Sequence, residues 1–204
     1  VIELLIKGGP VMVPIVLCSI VAFAVFLERL AALRRERVVP ASTCAEVIER
    51  VRLGRVDEAL ALCRSRPSAA TRLYEAAIEA RVLGRERVRE RMEEVGRREV
   101  SELERYTAVL GTVAAVGPML GLLGTVQGMI NTFEVIEAGG IGDMSQLAGG
   151  ISVALITTFG GLVVGIPALV ADRYVLSRVD DLTLDLEEAG AAMAELLDHL
   201  GRRL

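Results

Sequence analysis

Thr107–Ile130 reads TAVLGTVAAVGPMLGLLGTVQGMI, 24 residues without Asp, Glu, Lys, Arg or His. At the helical rise this run covers about 36 Å, enough to cross the hydrocarbon core of a bilayer. A soluble buried helix of that length without one charge would be unusual. Working outward, Leu147–Ala171 (LAGGISVALITTFGGLVVGIPALVA) is a second uncharged run. Pro10–Leu27 (PVMVPIVLCSIVAFAVFL) is a third, ending in Glu28 and Arg29. The composition agrees: 52% of the 204 residues are hydrophobic and mean hydropathy is +0.49, yet only 3% are aromatic. The apolar weight is aliphatic plus Ala and Gly, which suits closely packed membrane helices.

The remaining sequence is charged, and its charges are segregated. Residues 28–106 hold 18 arginines and residues 172–204 hold four; Lys7 is the lone cation before the first run. The stretch Asn131–Gln146 has no Lys or Arg and carries Glu134, Glu137 and Asp143. The positive-inside rule then places 28–106 and the C-terminus in the cytoplasm, and the N-terminus and the acidic loop outside. No secretory cleavage pattern follows the first run, so residues 1–9 are expected to be a short exposed segment.

The fold class that follows is all-α: an integral membrane protein with three transmembrane helices and long helices extending into the cytoplasm. The expected organisation is a periplasmic segment 1–9, transmembrane helices at 10–30, 107–132 and 147–171, a cytoplasmic helical domain 31–106, a periplasmic loop 133–146 and a cytoplasmic C-terminal helix 172–204.

In the cytoplasmic part, Ser42 or Thr43 is expected to cap a helix, Gly54 to break it, and Pro67–Ser68 to form a turn. Glu86 with Arg89, Glu93 with Arg97, and Glu94 with Arg98 are spaced for ion pairs along one helix. No breaker lies between Arg97 and Thr107, so the second span is expected to continue as one helix into this charged stretch. Leu182, Leu186, Ala189, Met193, Leu196 and Leu200 form an apolar stripe in the C-terminal helix. The plain reading of these charged helices is a solvated stalk.

Two stripes within the spans carry the functional argument. Pro118, Gly121, Thr125, Gly128 and Thr132 share one helix face, as do Ala154, Thr158, Gly161, Gly165 and Ala168. Gly117/Gly121, Gly124/Gly128 and Gly161/Gly165 are also small-xxx-small pairs, which let helix backbones approach closely. Packing alone explains glycine, and a threonine hydroxyl can bond back to the preceding turn. A stripe of small residues with a hydroxyl within the span also suits a narrow, weakly polar path or a face that receives a partner helix. Absences matter too. With no titratable group in any span, an ion-driven machine would need its carboxylate from another chain.

Other classes are excluded more simply. The net charge of −4 and the lack of a basic face argue against nucleic acid. Cys18, Cys44 and Cys63 match no metal motif and read as reduced and structural. His199 has no partner pattern for catalysis. No nucleophile–base motif or phosphate loop is present, so neither an enzyme nor a cofactor is expected.

The chain resembles the ExbB/TolQ/MotA proton-channel family, closest to ExbB and TolQ. The resemblance rests on GPMLGLLGTVQGMINTF (117–133), LAGGISVALITT (147–158), GGLVVGIPA (160–168) and GGPVMVPIVLCSIVAFAVFLERL (8–30). It implies a homopentamer in the bacterial inner membrane whose second and third spans surround a pore. It also implies a single-span partner similar to ExbD or TolR that carries the proton on a membrane aspartate. Output would pass to a TonB- or TolA-like protein, energising outer-membrane transport or envelope maintenance. By motif position Thr125 and Thr158 match pore-facing threonines, and Pro118 and Pro167 match prolines of the pore helices. Gly121, Gly128, Gly161 and Gly165 are assigned to helix packing. One departure stands out: many ExbB and TolQ sequences carry Glu in G-I-[AS]-E-A-L, where this chain has Val153. The competing roles are a flagellar-stator-like subunit, which usually has four spans, and a membrane scaffold with no ion pathway.

Overall fold

The computed structural model describes residues 8–139 and 144–201. Residues 1–7, most of the expected N-terminal segment, and 140–143, the middle of the acidic loop, lie outside the described residues. The chain is all-helical among the described residues. Its helices are α1 (Met12–Ala32), α2 (Arg35–Val38), α3 (Ala41–Arg52), α4 (Val56–Ser65), α5 (Ala69–Ala80), α6 (Arg85–Glu104), α7 (Thr107–Gly139) and α8 (Met144–Gly201), with a 3-10 turn at Arg81–Leu83. Three helical stretches are long and apolar enough to cross a membrane. Two compact units result: Val1–Glu28 with Tyr106–Val175, and Arg29–Arg105 with Leu176–Leu204. The first holds the apolar spans and is called the membrane unit below; the second holds most of the charge.

In the membrane unit α1 turns Met12, Ile15 and Ala22 inward, while Val13, Leu17, Ile20 and Phe23 stay exposed. That one-sided burial is what a bilayer permits, because lipid replaces water around the outward apolar face. The ring of Phe26 meets Tyr174 edge-on at 6.4 Å. The α7 and α8 helices bury their small residues and expose Met119, Leu122, Phe133, Leu155, Phe159 and Ile166.

The charged unit is built around α5, whose alanines allow close packing: Ala70, Tyr74, Ala77 and Ile78 are buried with Val47, Val51, Ala59 and Cys63. Ser68 opens this helix with a capping box, accepting from the Thr71 amide while the Thr71 hydroxyl accepts from the Ser68 amide. Glu99, nearly buried, receives a forked pair of bonds from Arg72 at 2.6 and 2.5 Å, which ties α5 to α6. All three cysteines are free thiols. Burial pushes Cys44 up, and burial with the nearby Glu75 carboxylate pushes Cys63 up to about 11, so both stay protonated and unreactive at neutral pH.

Several local expectations meet a different outcome. The α3 helix starts after Pro40, so Ser42 and Thr43 lie inside its first turn and do not cap it. Pro40 has the extended backbone of an N-cap, and a proline there fixes the helix start. Glu94 does pair with Arg98, at 3.8 Å, but Glu93 pairs with Arg89. In the C-terminal stripe Leu182, Leu186 and Met193 are buried, and Leu197 is buried where Leu196 is only half so. The third span and the C-terminal segment are one unbroken helix of 58 residues.

The second span is not continuous with the charged helix before it. Arg105 is extended (φ −53°, ψ 135°) and Tyr106 has φ +62°, which separates α6 from α7 by two residues. Gly54 (φ +74°) and Gly84 (φ +94°) make comparable breaks with the residue that tolerates them. Tyr106 makes one without that tolerance, and this is why no breaker was legible in the sequence. Tyr106→Pro requires φ near −65° and is expected to destabilise by about 3 kcal/mol. Tyr106→Asn accepts the left-handed backbone and should stay within about 1 kcal/mol of the parent. Thermal unfolding in detergent measures both.

Candidate functional site

Glycine decides how α7 and α8 meet. A Cβ on Gly117 would lie 3.2 Å from the Gly161 carbonyl oxygen, and one on Gly121 would lie 3.0 Å from Thr158 Cα. From the other side, a Cβ on Gly161 would lie 2.5 Å from the Gly117 oxygen, and one on Gly128 would lie 2.8 Å from the Gly150 oxygen. At Gly165 a Cβ would collide with the Pro118 ring, 2.6 Å from Cδ. The two glycine faces are therefore filled by each other's backbone within one chain.

The hydroxyls are also placed by this contact. Thr158 donates across the seam to the Gly121 carbonyl at 3.3 Å. Thr125, one turn further along α7, donates to the Leu122 carbonyl at 2.6 Å. Thr132 donates to Gly128 at 2.8 Å. Thr157, which the sequence reading passed over, is completely buried opposite Gly124 and bonds back to Val153 and Ala154 at 3.0 and 2.9 Å. Adjacent threonines thus have different surroundings: Thr157 is sealed in the seam, while Thr158 is half-buried at its edge. A hydroxyl that donates to the backbone keeps its oxygen lone pairs as acceptors. Thr125 and Thr158 can therefore accept a hydrogen bond from a protonated acid or a water.

The seam has two flanks. On α8, Val153, Ile156 and Gly160 face the start of α1: Gly9 approaches Val153, Gly8 approaches Ile156, and Gly160 lies against Met12. Thr158 is two residues from both Ile156 and Gly160, so it points about 160° away, to the flank that α1 leaves uncovered. Pro118 lies on the Thr125 face of α7, seven residues earlier. Pro167 is seven residues from Gly160 and exposed, so it lies on the α1-facing side of α8. The structure brings Thr125, Thr158 and Pro118 to one seam and leaves Pro167 apart from them. Gln127 and Asn131 are exposed on a different face of α7 and bond one another at 3.0 Å.

One charged residue escaped the sequence reading. Asp172 follows the uncharged run directly, and its side chain is buried at 8% exposure against Gly111. The signal was present, but a span defined by absence of charge ends one residue before it. No group of three or more His, Cys, Asp or Glu able to hold a metal occurs among the described residues.

Comparison with known proteins bears on this arrangement. A sequence profile described as the MotA/TolQ/ExbB proton channel family matches residues 66–188, which include both glycine-faced helices and the threonines. The chain belongs to this family. It is 35% identical to a protein named biopolymer transport protein ExbB-like 1 from Synechocystis sp., over 84% of this chain and 69% of that protein. It is 34% identical to an ExbB homologue of Methanothermobacter thermautotrophicus, over 89% of this chain and 64% of the relative. The Tol-Pal system protein TolQ of Haemophilus influenzae is 38% identical over 43% of this chain and 39% of its own length. The chain thus spans about two thirds of the length of the first two relatives. A helical membrane protein of the proton-channel family, related to biopolymer-transport proteins, is the shared denominator.

The seam makes a direct prediction. Gly161→Ala places a methyl against the Gly117 carbonyl and is expected to lower stability by about 1–3 kcal/mol. Gly149→Ala, with nothing within 4 Å of its added Cβ, should not destabilise the chain. Thermal unfolding of the two variants in the same detergent separates them.

Proposed function

We propose that the chain is the ring-forming subunit of an inner-membrane, ion-driven motor complex. In this reading five copies form a ring, with the N-terminus periplasmic and the charged unit and C-terminus cytoplasmic. The ring encloses the helices of a single-span partner similar to ExbD or TolR, whose membrane aspartate carries the ion. A TonB- or TolA-like protein would receive the output.

The observation that carries the reading is the link from the Thr158 hydroxyl to the Gly121 carbonyl, one turn from Thr125, on the flank that α1 leaves uncovered. The spans around it hold no carboxylate, so this chain supplies acceptors and the partner supplies the acid. Thr125 and Thr158 would accept hydrogen bonds from the partner's protonated carboxyl or from lumen water, with Pro118 beside them. Such contacts strengthen in a low-dielectric lumen. The glycine seam keeps each pair rigid, so ion-driven motion is left to the partner.

A scaffold without an ion pathway is the second reading. It is favoured by one observation: Thr125, Thr132, Thr157 and Thr158 all donate to backbone carbonyls, as packing alone would require. Proton uptake by liposomes holding the chain with its partner separates the two, since a scaffold gives no flux. Thr125→Val and Thr158→Val should each abolish force output and flux while oligomer size stays unchanged. Full activity in both variants would remove the threonines from the path. A flagellar-stator role is the other alternative within the family, and motility of a deletion strain tests it.

A further inference from the structure

Asp172 is a carboxylate that the threonine site does not use. It lies on the same face of α8 as Ala168 and Val175, both buried, and it packs against α7 where Gly111 has no side chain. A Cβ on Gly111 would lie 3.3 Å from Oδ1 and 3.7 Å from Oδ2, so the missing methyl leaves room for both carboxylate oxygens.

A carboxylate this buried normally has an ion partner or several hydrogen bonds, because an uncompensated charge is costly to bury. Among the described residues Asp172 has neither. The other titratable groups at this end of the membrane unit are Glu28, Tyr106, Arg173 and Tyr174. Gly111 and Thr107, on the α7 side, carry no charge. Arg173 follows Asp172 in sequence but is exposed, about 100° around the helix. No bond joins Asp172 to any of these groups. Yet no fully buried side-chain oxygen lacks a hydrogen-bond partner among the described residues, so the Asp172 oxygens keep contact with solvent. The nearby first turn of α7 supplies some positive potential from its free amides. A helix end of this kind orients the carboxylate but does not neutralise it.

We propose that Asp172, in the recess left by Gly111, is a binding site for a monovalent metal cation such as Na⁺ at this end of the helix pair. It lies about 21 Å along α8 from Thr158, so it is not a neighbour of the threonines. It is a mouth site, where an ion is held between the aqueous phase and the interior of the assembly. The inference rests on the ring-subunit reading for its role in transport, but cation binding at Asp172 can be tested without it.

Two experiments keep those failures distinct. Purified full-length chain is treated with dicyclohexylcarbodiimide, which modifies carboxyl groups in apolar surroundings, and Asp172 is followed by mass spectrometry. Labelling that falls as Na⁺ is raised at constant pH and ionic strength shows that the cation occupies the site. Absence of labelling, or labelling indifferent to Na⁺ at constant pH, overturns the site even if the complex conducts. The chain with its partner is then placed in liposomes under a pH gradient or a Na⁺ gradient. Asp172→Asn is expected to lower the flux by roughly a hundredfold, with Asp172→Glu retaining most of it and oligomer size unchanged. Parental flux in Asp172→Asn overturns the transport role. If Asp172→Asn does not assemble, Gly111→Ala decides, because it crowds the carboxylate without removing it and should weaken the cation's effect on labelling. Cation-sensitive labelling in a complex without flux refutes the ring-subunit reading and leaves the site standing.

Discussion

Backbone-to-backbone contact between α7 and α8 is the constraint on which the membrane unit depends. In lipid, apolar side chains gain nothing by leaving one apolar environment for another, so helices associate through close van der Waals approach and a few hydrogen bonds. Gly117, Gly121, Gly128, Gly161 and Gly165 permit that approach; a methyl at several of these positions would meet a carbonyl oxygen at 3.2 Å or less. The cross-seam bond from Thr158 to Gly121 is possible only because the backbones are this close. Position of the hydroxyls is thus a consequence of packing, and the two explanations for the stripes are linked: the glycines pack, and packing sets the threonines at the edge.

The same contact makes adjacent residues unequal. Thr157 and Thr158 are identical in chemistry and neighbours in sequence, yet one is sealed opposite Gly124 and the other lies half-buried at the seam's border. Gly111 repeats the principle at the charged end, where absence of a side chain makes space for the Asp172 carboxylate. A glycine here acts by what it leaves room for on the facing helix.

The charged unit follows soluble-protein rules. Alanines of α5 admit neighbouring helices, the Ser68–Thr71 box fixes its start, and the Arg72–Glu99 fork connects it to α6. Most exposed Arg–Glu pairs add little to stability in water. Their use is to keep the helix surfaces solvated. Two of the three links between the units are uninterrupted helices, α1 and α8; the third is the Arg105–Tyr106 break.

Much was legible in the sequence because membrane insertion is governed by composition over a window of about 20 residues, a property of the chain itself. The three spans, the all-helical class, the Ser68 turn and the family resemblance through GPMLGLLGTVQGMINTF all follow from that one-dimensional record. Local order does not reveal which face of a helix its neighbour covers, since both flanks of a glycine stripe look alike until the second helix is docked. Only the tertiary structure decided that the stripes fill one another, that Pro167 lies apart from Thr125 and Thr158, that Tyr106 takes a left-handed backbone, and that Asp172 is buried. Each of those depends on distances between residues far apart in sequence, and such distances are set by packing.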